Sequence, residues 1–363
     1  MRHGRRRLTT AAALFAAALA VPNAWAQDNA QPALAAASGE PAAPADAGQP
    51  RPALMAPLAS RSTLVSITRA GAHLVAVGHE GVIVISPDGR QWTQVASPVS
   101  DMLDRVRFFD ANNGWILGYD GAILQTVDGG NHWTLRNYKL GAHPLYDLLF
   151  LDAQHAIAIG GFGDYLISSD GGKTWAPQQN PLSNLGMHMN AIVRLGDGSL
   201  LIAGERGLTA RSKDNGANWE LLDSPYTGSF FGALPLGEHG VLVYGLRGTV
   251  FTLADVAHCP TLAFDKWDVF TRKDTVDPAG IAALGWKKLQ NPVVESLFGG
   301  QWLANAEALL VGVNGTVVET HLASGTLTQL KTPAAETLGD VLVQNGRMIA
   351  VGRLGAQDIG AAP

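Results

Sequence analysis

The chain has 363 residues, 47% hydrophobic and 16% charged, with a formal net charge of −5. That mildly acidic balance argues against general binding to nucleic acid or to anionic membranes. Cys259 is the only cysteine, so no intrachain disulfide can form, and a single thiol in an exported chain is expected to be buried and inert.

Residues 1–26 read as a secretory signal peptide. Arg2, Arg5, Arg6 and Arg7 form a cationic start, 8–21 is an apolar Ala-rich run, and Ala24-Trp25-Ala26 puts small residues where a signal peptidase cuts. The apolar run is shorter than the roughly 20 residues of a comfortable membrane span. Cleavage after Ala26 and export to the periplasm are expected, by either the Sec or the twin-arginine route, with no covalent membrane anchor. Without those four arginines the formal charge falls to −9. Residues 27–57 are rich in Ala, Pro, Gly and Gln and poor in large apolar side chains. Such a segment buries too little surface to offset its ordering entropy and is expected to be a flexible tether. Residues 58–363 are then the folded body, long enough for a substantial core.

That body repeats. A Gly-x-x-Gly signature recurs at Gly78/Gly81, Gly118/Gly121, Gly160/Gly163, Gly204/Gly207, Gly245/Gly248, Gly312/Gly315 and Gly352/Gly355, at spacings of 40, 42, 44, 41, 67 and 40 residues. A period near 40 marks an array of similar supersecondary units. In the first unit, apolar runs at 64–68, 73–77, 82–86 and 92–96 alternate with tight turns and read as strands A to D, the glycine pair bracketing the B–C turn. Short strands at even spacing with glycine turns point to an all-β, seven-bladed β-propeller.

The turn after strand C is more specific. Thr126/Asp128/Gly130/Trp133, Ser168/Asp170/Gly172/Trp175 and Ser212/Asp214/Gly216/Trp219 share the pattern [S/T]-x-D-x-G-x-x-W, and Ser86/Asp88/Trp92 is a copy one residue shorter. This is an Asp-box, or BNR repeat. Its Asp is expected to bind backbone amides of its own turn, and its Trp to insert between sheets. Each turn carries one acid, too few for a calcium loop, so these residues are read as structural, with no metal or cofactor.

Later units decay. About 27 extra residues follow Gly248, so 253–290 reads as an insertion in blade 5, either extending a blade edge or projecting as a loop. The chain ends too soon after Gly355 for a fourth strand in blade 7. Closure of the ring by an N-terminal strand, from residues 53–59, is expected.

Asp110-Ala-Asn-Asn-Gly114-Trp115-Ile-Leu-Gly118 followed by the DGGxxW box is narrower than a generic Asp-box. This combination resembles the photosystem II stability/assembly factor family. The resemblance covers about 62–355 and is strongest over 102–220. It implies an exported seven-bladed propeller without catalytic activity. In phototrophs it implies binding to assembly intermediates of the photosystem reaction centre.

The enzymatic alternative is a sialidase-like glycoside hydrolase or a carbohydrate-binding propeller, since those also carry Asp-boxes. The Arg-Ile-Pro element of such enzymes is missing; Arg105 and Arg107 alternate along a strand without a following Pro. Asp147, Glu205 and Glu295 are candidate acids, but no spacing pairs them as glycoside chemistry requires. A non-enzymatic, monomeric scaffold is therefore expected. In a propeller the B–C and D–A loops share one face, opposite the Asp-boxes. The residues between the glycines would line that face: Glu80 and Asp120 on adjacent blades as an acidic sector, Arg206 and Arg247 on adjacent blades as a basic one, with Tyr119 and Arg353 also on the rim. Arginines there can hold carboxylates bidentately, and the expected partner is a polypeptide, an exposed membrane-protein segment or assembly intermediate.

Overall fold

The computed structural model describes residues 48–268 and 271–363. The expected signal peptide and most of the expected tether lie outside the described residues.

Each glycine pair sits in its own antiparallel sheet, and there are seven sheets. Five have four strands, one has five and the last has three. Blade 1 runs Leu64–Ala70, His73–Gly78, Ile83–Ser86 and Thr93–Val95, strand order A-B-C-D. The second strand of a blade is a short continuous apolar run, such as Ala156–Gly160 or Ala308–Gly312, and both of these are buried throughout. Such a run fits a strand covered on both sides, here by the neighbouring blades. The innermost strands A contact one another in sequence around a ring, and strand A of blade 1 also touches strand A of blade 7, so the ring is closed. The fold is a seven-bladed β-propeller, almost entirely β, with one short α-helix among the described residues, Pro278–Ala283.

Every strand A begins with a register shift. In blade 1 it falls between Leu64 and Ser66, and in blade 7 between Leu338 and Asp340. A bulge bends the strand and re-aims the next side chain. The residue two places after the buried Leu64, Leu103, Leu145, Met189, Phe230, Leu297 or Leu338 therefore occupies the same level in all seven blades.

The glycine turns are equally uniform. The residue after the first glycine donates its amide to the carbonyl preceding strand A, as in His79 N to Thr63 O (3.0 Å) and Tyr119 N to Met102 O (2.9 Å). Gly78 lies so close to Thr63 O that a Cβ there would collide with it. Gly81 has φ +68° and lies against Val99 O. In blade 7 the corresponding neighbour of Gly355 is Ser60, from the other end of the chain.

That contact replaces the expected closing strand. Blade 7 has three strands, ending in Gly355–Ala361, and residues 53–59 form no strand. Instead, Ala53 N bonds Ser97 O (3.1 Å), Ala56 N bonds Gln94 Oε1 (2.7 Å), and Gln94 Nε2 bonds Leu54 O (2.9 Å). The segment spends its hydrogen bonds on the rim of blade 1, leaving none for blade 7. Residues 53 and 56 thus already bond to blade 1, upstream of residue 58. Ring closure rests on Ser60–Arg61 against Gly355, Thr63 Oγ1 to Arg353 O (3.4 Å), and strand A of blade 1 against blade 7.

The insertion after Leu253 extends a blade edge, though of the preceding blade. Thr261–Leu262 pairs with Glu220–Leu222 as a fifth strand of blade 4, and the chain then returns to give Trp286–Lys288 as strand D of blade 5. Val256, Cys259, Ile281 and Trp286 join one apolar cluster with Leu222, Phe230 and Phe251. Cys259 is buried, its Sγ 3.5 Å from Asp223 O, and burial pushes its thiol up to about 11.

Candidate functional site

The Asp-box turns form the hydrogen bonds their residue types allow. In the second, Asp128 Oδ1 accepts from Asn131 N (3.1 Å), His132 N (3.0 Å) and Thr126 Oγ1 (2.8 Å). Trp133 Nε1 donates to Gly130 O (2.9 Å). Ser86/Asp88/Trp92 and Ser168/Asp170/Gly172/Trp175 repeat the scheme, with Trp92 Nε1 to Gly89 O and Trp175 Nε1 to Gly172 O at 3.1 Å. Ser212, Asp214 and Gly216 do the same, but Trp219 Nε1 is buried without a partner among the described residues; its ring lies edge-on to Tyr165. The Asp170 carboxyl is held down at about 2, first by the Thr174 hydroxyl and then by the Thr174 amide. These side chains face their own turns.

The opposite face carries the glycine turns. The residue before the second glycine adopts a left-handed conformation in six blades: Glu80, Asp120, Phe162, Arg206, Arg247 and Asn314, with φ between 53° and 57°. This geometry turns the side chains outward, and Glu80, Phe162, Arg206, Arg247 and Asn314 are exposed. Arg353 is also exposed and pairs with Glu336 at 3.3 Å. Tyr119 is exposed beside Asp120. Asp120 itself is tied to its own blade, accepting from Gly141 N (2.8 Å) and Tyr138 Oη (3.3 Å). Arg206 O accepts from Arg272 of the insertion (3.2 Å), and Arg272 stacks 4.2 Å over Trp267. Arg247 N is held by Ser296 Oγ (3.1 Å).

Two features were not read from the sequence. The first is aromatic. Phe162 lies between His143 and His188, ring centroids 4.6 and 4.7 Å away, and His188 also meets Tyr146 at 5.7 Å. A bulky residue at positive φ is an outlier, and this one is exposed rather than used in the core. The signal was present: Phe162 is the one aromatic at its place in the turn series.

The second is the central channel, a cavity of about 630 Å³ between the inner strands. Arg105, Asp147 and Asp340 occupy equivalent post-bulge positions of blades 2, 3 and 7 and meet there. Arg105 lies 3.6 Å from Asp147 and 3.9 Å from Asp340. Burial alone would lower the Arg105 guanidinium, but the two carboxylates outweigh it and hold its pKa above the ordinary value. Asp147 also accepts from Arg107 and from Ile192 N (3.1 Å). Aligning the units on strand A rather than on the glycines would have exposed this layer. Neighbouring Asp104 has a buried Oδ2 without a partner among the described residues, and burial pushes its carboxyl up to about 7 despite Arg105.

The candidate hydrolytic acids occupy dissimilar settings. Asp147 is engaged by arginines, Glu205 accepts from His188 N (3.3 Å), and Glu295 accepts from Val294 N (3.1 Å). None is coupled to a second carboxylate by a hydrogen bond among the described residues.

Seven blades, locally self-satisfied Asp-boxes and an outward-facing ring of turn side chains define a seven-bladed β-propeller. Residues 85–144 match the family model described as photosynthesis system II assembly factor YCF48. Over 87 residues the chain is 34% identical to the chloroplastic photosystem II stability/assembly factor HCF136 of Cyanidioschyzon merolae, covering 22% of this chain and 20% of that protein. Over 117 residues it is 30% identical to the photosystem II assembly lipoprotein Ycf48 of Synechococcus sp. strain CC9902, covering 32% and 35%. These matches span well under half the length of either relative. A solved structure described as YCF48 bound to D1 peptide superposes with a TM-score of 0.59 over 85% of this chain and 96% of that one, at 16% identity, a likeness of fold. The chain is a seven-bladed β-propeller that, over residues 85–144, is similar to photosystem II assembly factors.

Proposed function

We propose that the chain is an exported, non-enzymatic scaffold that holds a polypeptide partner on its glycine-turn face. The partner is an exposed segment of a membrane protein or of its assembly intermediate. The observation that carries this reading is the recurrence of one turn geometry in six blades, which projects Glu80 and Asp120 from blades 1 and 2 and Arg206 and Arg247 from blades 4 and 5, with Tyr119 exposed beside Asp120 and Arg353 exposed on blade 7. Many modest contacts over a broad, rigid platform give orientation, and arginines add directional contacts to carboxylates. The similarity to a structure of YCF48 with a D1 peptide supports a peptide as the occupant, and the similarity to an assembly lipoprotein supports residence outside the cytoplasm, here the periplasm after cleavage at Ala26.

The test is a fluorescence-anisotropy titration with a labelled D1 peptide. Wild-type protein should bind, and Arg206→Glu with Arg247→Glu should weaken binding at least about tenfold, the scale of losing charge-assisted contacts, while circular dichroism and melting stay unchanged. Equal affinity of the double variant would remove the basic sector from the site. Turnover of a fluorogenic glycoside, abolished by one carboxylate substitution, would replace the scaffold with a hydrolase.

A further inference from the structure

We propose that a groove on the outer edge of blade 5 binds a long-chain carboxylate, a single-chain amphiphile whose acid group pairs with Arg247. The groove lies between the helix Pro278–Ala283 and strand Trp286–Lys288 and encloses about 850 Å³. That size falls in the range of roughly 300–1,000 Å³ typical of small-molecule sites. Its floor is apolar, with Ile281, Trp286, Leu289 and Val293 all buried. Of its lining residues, Val276 and Val294 are 83% and 77% exposed, two apolar side chains turned to water.

The hydrogen-bonding state of the walls selects the occupant. Asn291 Nδ2 donates to Gly248 O (2.7 Å), and its Oδ1 accepts from Val293 N (3.1 Å). Trp286 Nε1 donates to Asp223 O (2.9 Å). The backbone of Gln290 pairs through both its amide and its carbonyl, with Gly325 O (2.8 Å) and Leu327 N (2.9 Å). A peptide lying here would bury amides and carbonyls against walls whose polar groups are already used, and each such group costs free energy. A polymethylene chain makes no such demand.

Charge selects the head group. The charged side chains lining the groove are Arg247, Lys287 and Lys288, all cationic. Lys287 Nζ is engaged by Leu322 O (3.2 Å), and nearby Asp277 caps its own helix through Gly280 N (2.7 Å). The Arg247 guanidinium has no hydrogen bond or ion pair with the described residues. Its planar fork matches a carboxylate bidentately. The groove is built by the insertion and so reaches beyond the partner-binding face, sharing Arg247 and Gly248 of one glycine turn with it.

Isothermal titration of the full exported chain with decanoate, dodecanoate and tetradecanoate, each below its micellar concentration, tests the proposal. Affinity should rise about fourfold per added methylene until the groove is full. Arg247→Ala and Val294→Asp should each weaken dodecanoate about tenfold or more, and Lys173→Glu, in an Asp-box turn outside the groove, should leave dodecanoate binding unchanged. The proposal is overturned if dodecyltrimethylammonium binds as well as dodecanoate, if affinity ignores chain length, or if both groove variants bind normally. It is also overturned if the carboxylate is taken up only in phosphatidylglycerol vesicles. Because Val294→Asp probes the groove alone and Arg206→Glu the rim alone, loss of either reading leaves the other standing.

Discussion

Arg107 and Asp147 stand 40 positions apart in the chain and are joined by two hydrogen bonds, 3.0 and 3.2 Å, across adjacent inner strands of the propeller. The Asp147 side chain is 1% exposed and also faces Arg105, which is 17% exposed, whereas Arg107 is 43% exposed. Asp147→Asn keeps the shape but leaves Arg105 with one carboxylate fewer. Removing one partner of a buried pair typically costs about 3–5 kcal/mol. Arg107→Ala acts on a solvent-screened group and should cost about 1 kcal/mol or less. Urea unfolding of the two variants should show this asymmetry; equal losses would mean that the Arg105 layer does not depend on Asp147.

Asp104 gives stability a pH dependence of unusual sign. Burial raises its carboxyl from the ordinary 3.8 to about 7. Between these values the folded protein keeps a proton that the unfolded chain has released, so this group's contribution falls as pH rises through that window. Asp104→Asn removes the effect. The variant should gain melting temperature over wild type progressively from about pH 4 to pH 7 and hold that gain above it. A constant difference across the range would place Asp104 in an ordinary solvated setting.

The Asp-box aspartates act in the opposite direction. Asp170 titrates at about 2 when folded, through Thr174 first, so its contribution is complete above the ordinary 3.8 and is lost as pH falls from there toward 2. Thermal scans between pH 2 and 5 should show a flatter acid limb for Asp170→Asn than for wild type. An unchanged limb would show that the turn holds without the ionised side chain.

Cys259 should be inert. Its thiol is buried and raised to about 11, so little thiolate exists at neutral pH. A thiol reagent such as DTNB should label the native protein only at the rate of unfolding. Rapid labelling without denaturant would mean that the insertion opens readily.

The repeat was legible because its turns are local. Gly78 and Gly81 are demanded by a close carbonyl and a positive φ, and Asp128 and Trp133 bond within their own turn. Seven such glycine pairs therefore set the period and the blade count, and the boxes after strand C identified the repeat type. The channel layer was not legible from that alignment, because Arg105, Asp147 and Asp340 meet only when the ring closes. The closing strand was misjudged for a related reason. Residues 53–56 look equally suited to either neighbouring blade, and the side chain of Gln94 decides for blade 1. The insertion's fifth strand, Thr261–Leu262, is two residues long and carries no periodicity of its own.

Backbone hydrogen exchange of the chain with and without a bound D1 peptide reports directly on where the partner sits. The account predicts slowed exchange at the glycine turns, at 79–81, 119–121, 205–207 and 246–248, with the Asp-box turns unchanged. Protection confined to the Asp-box turns or to the channel strands, with the glycine turns exchanging as in the free protein, would contradict it.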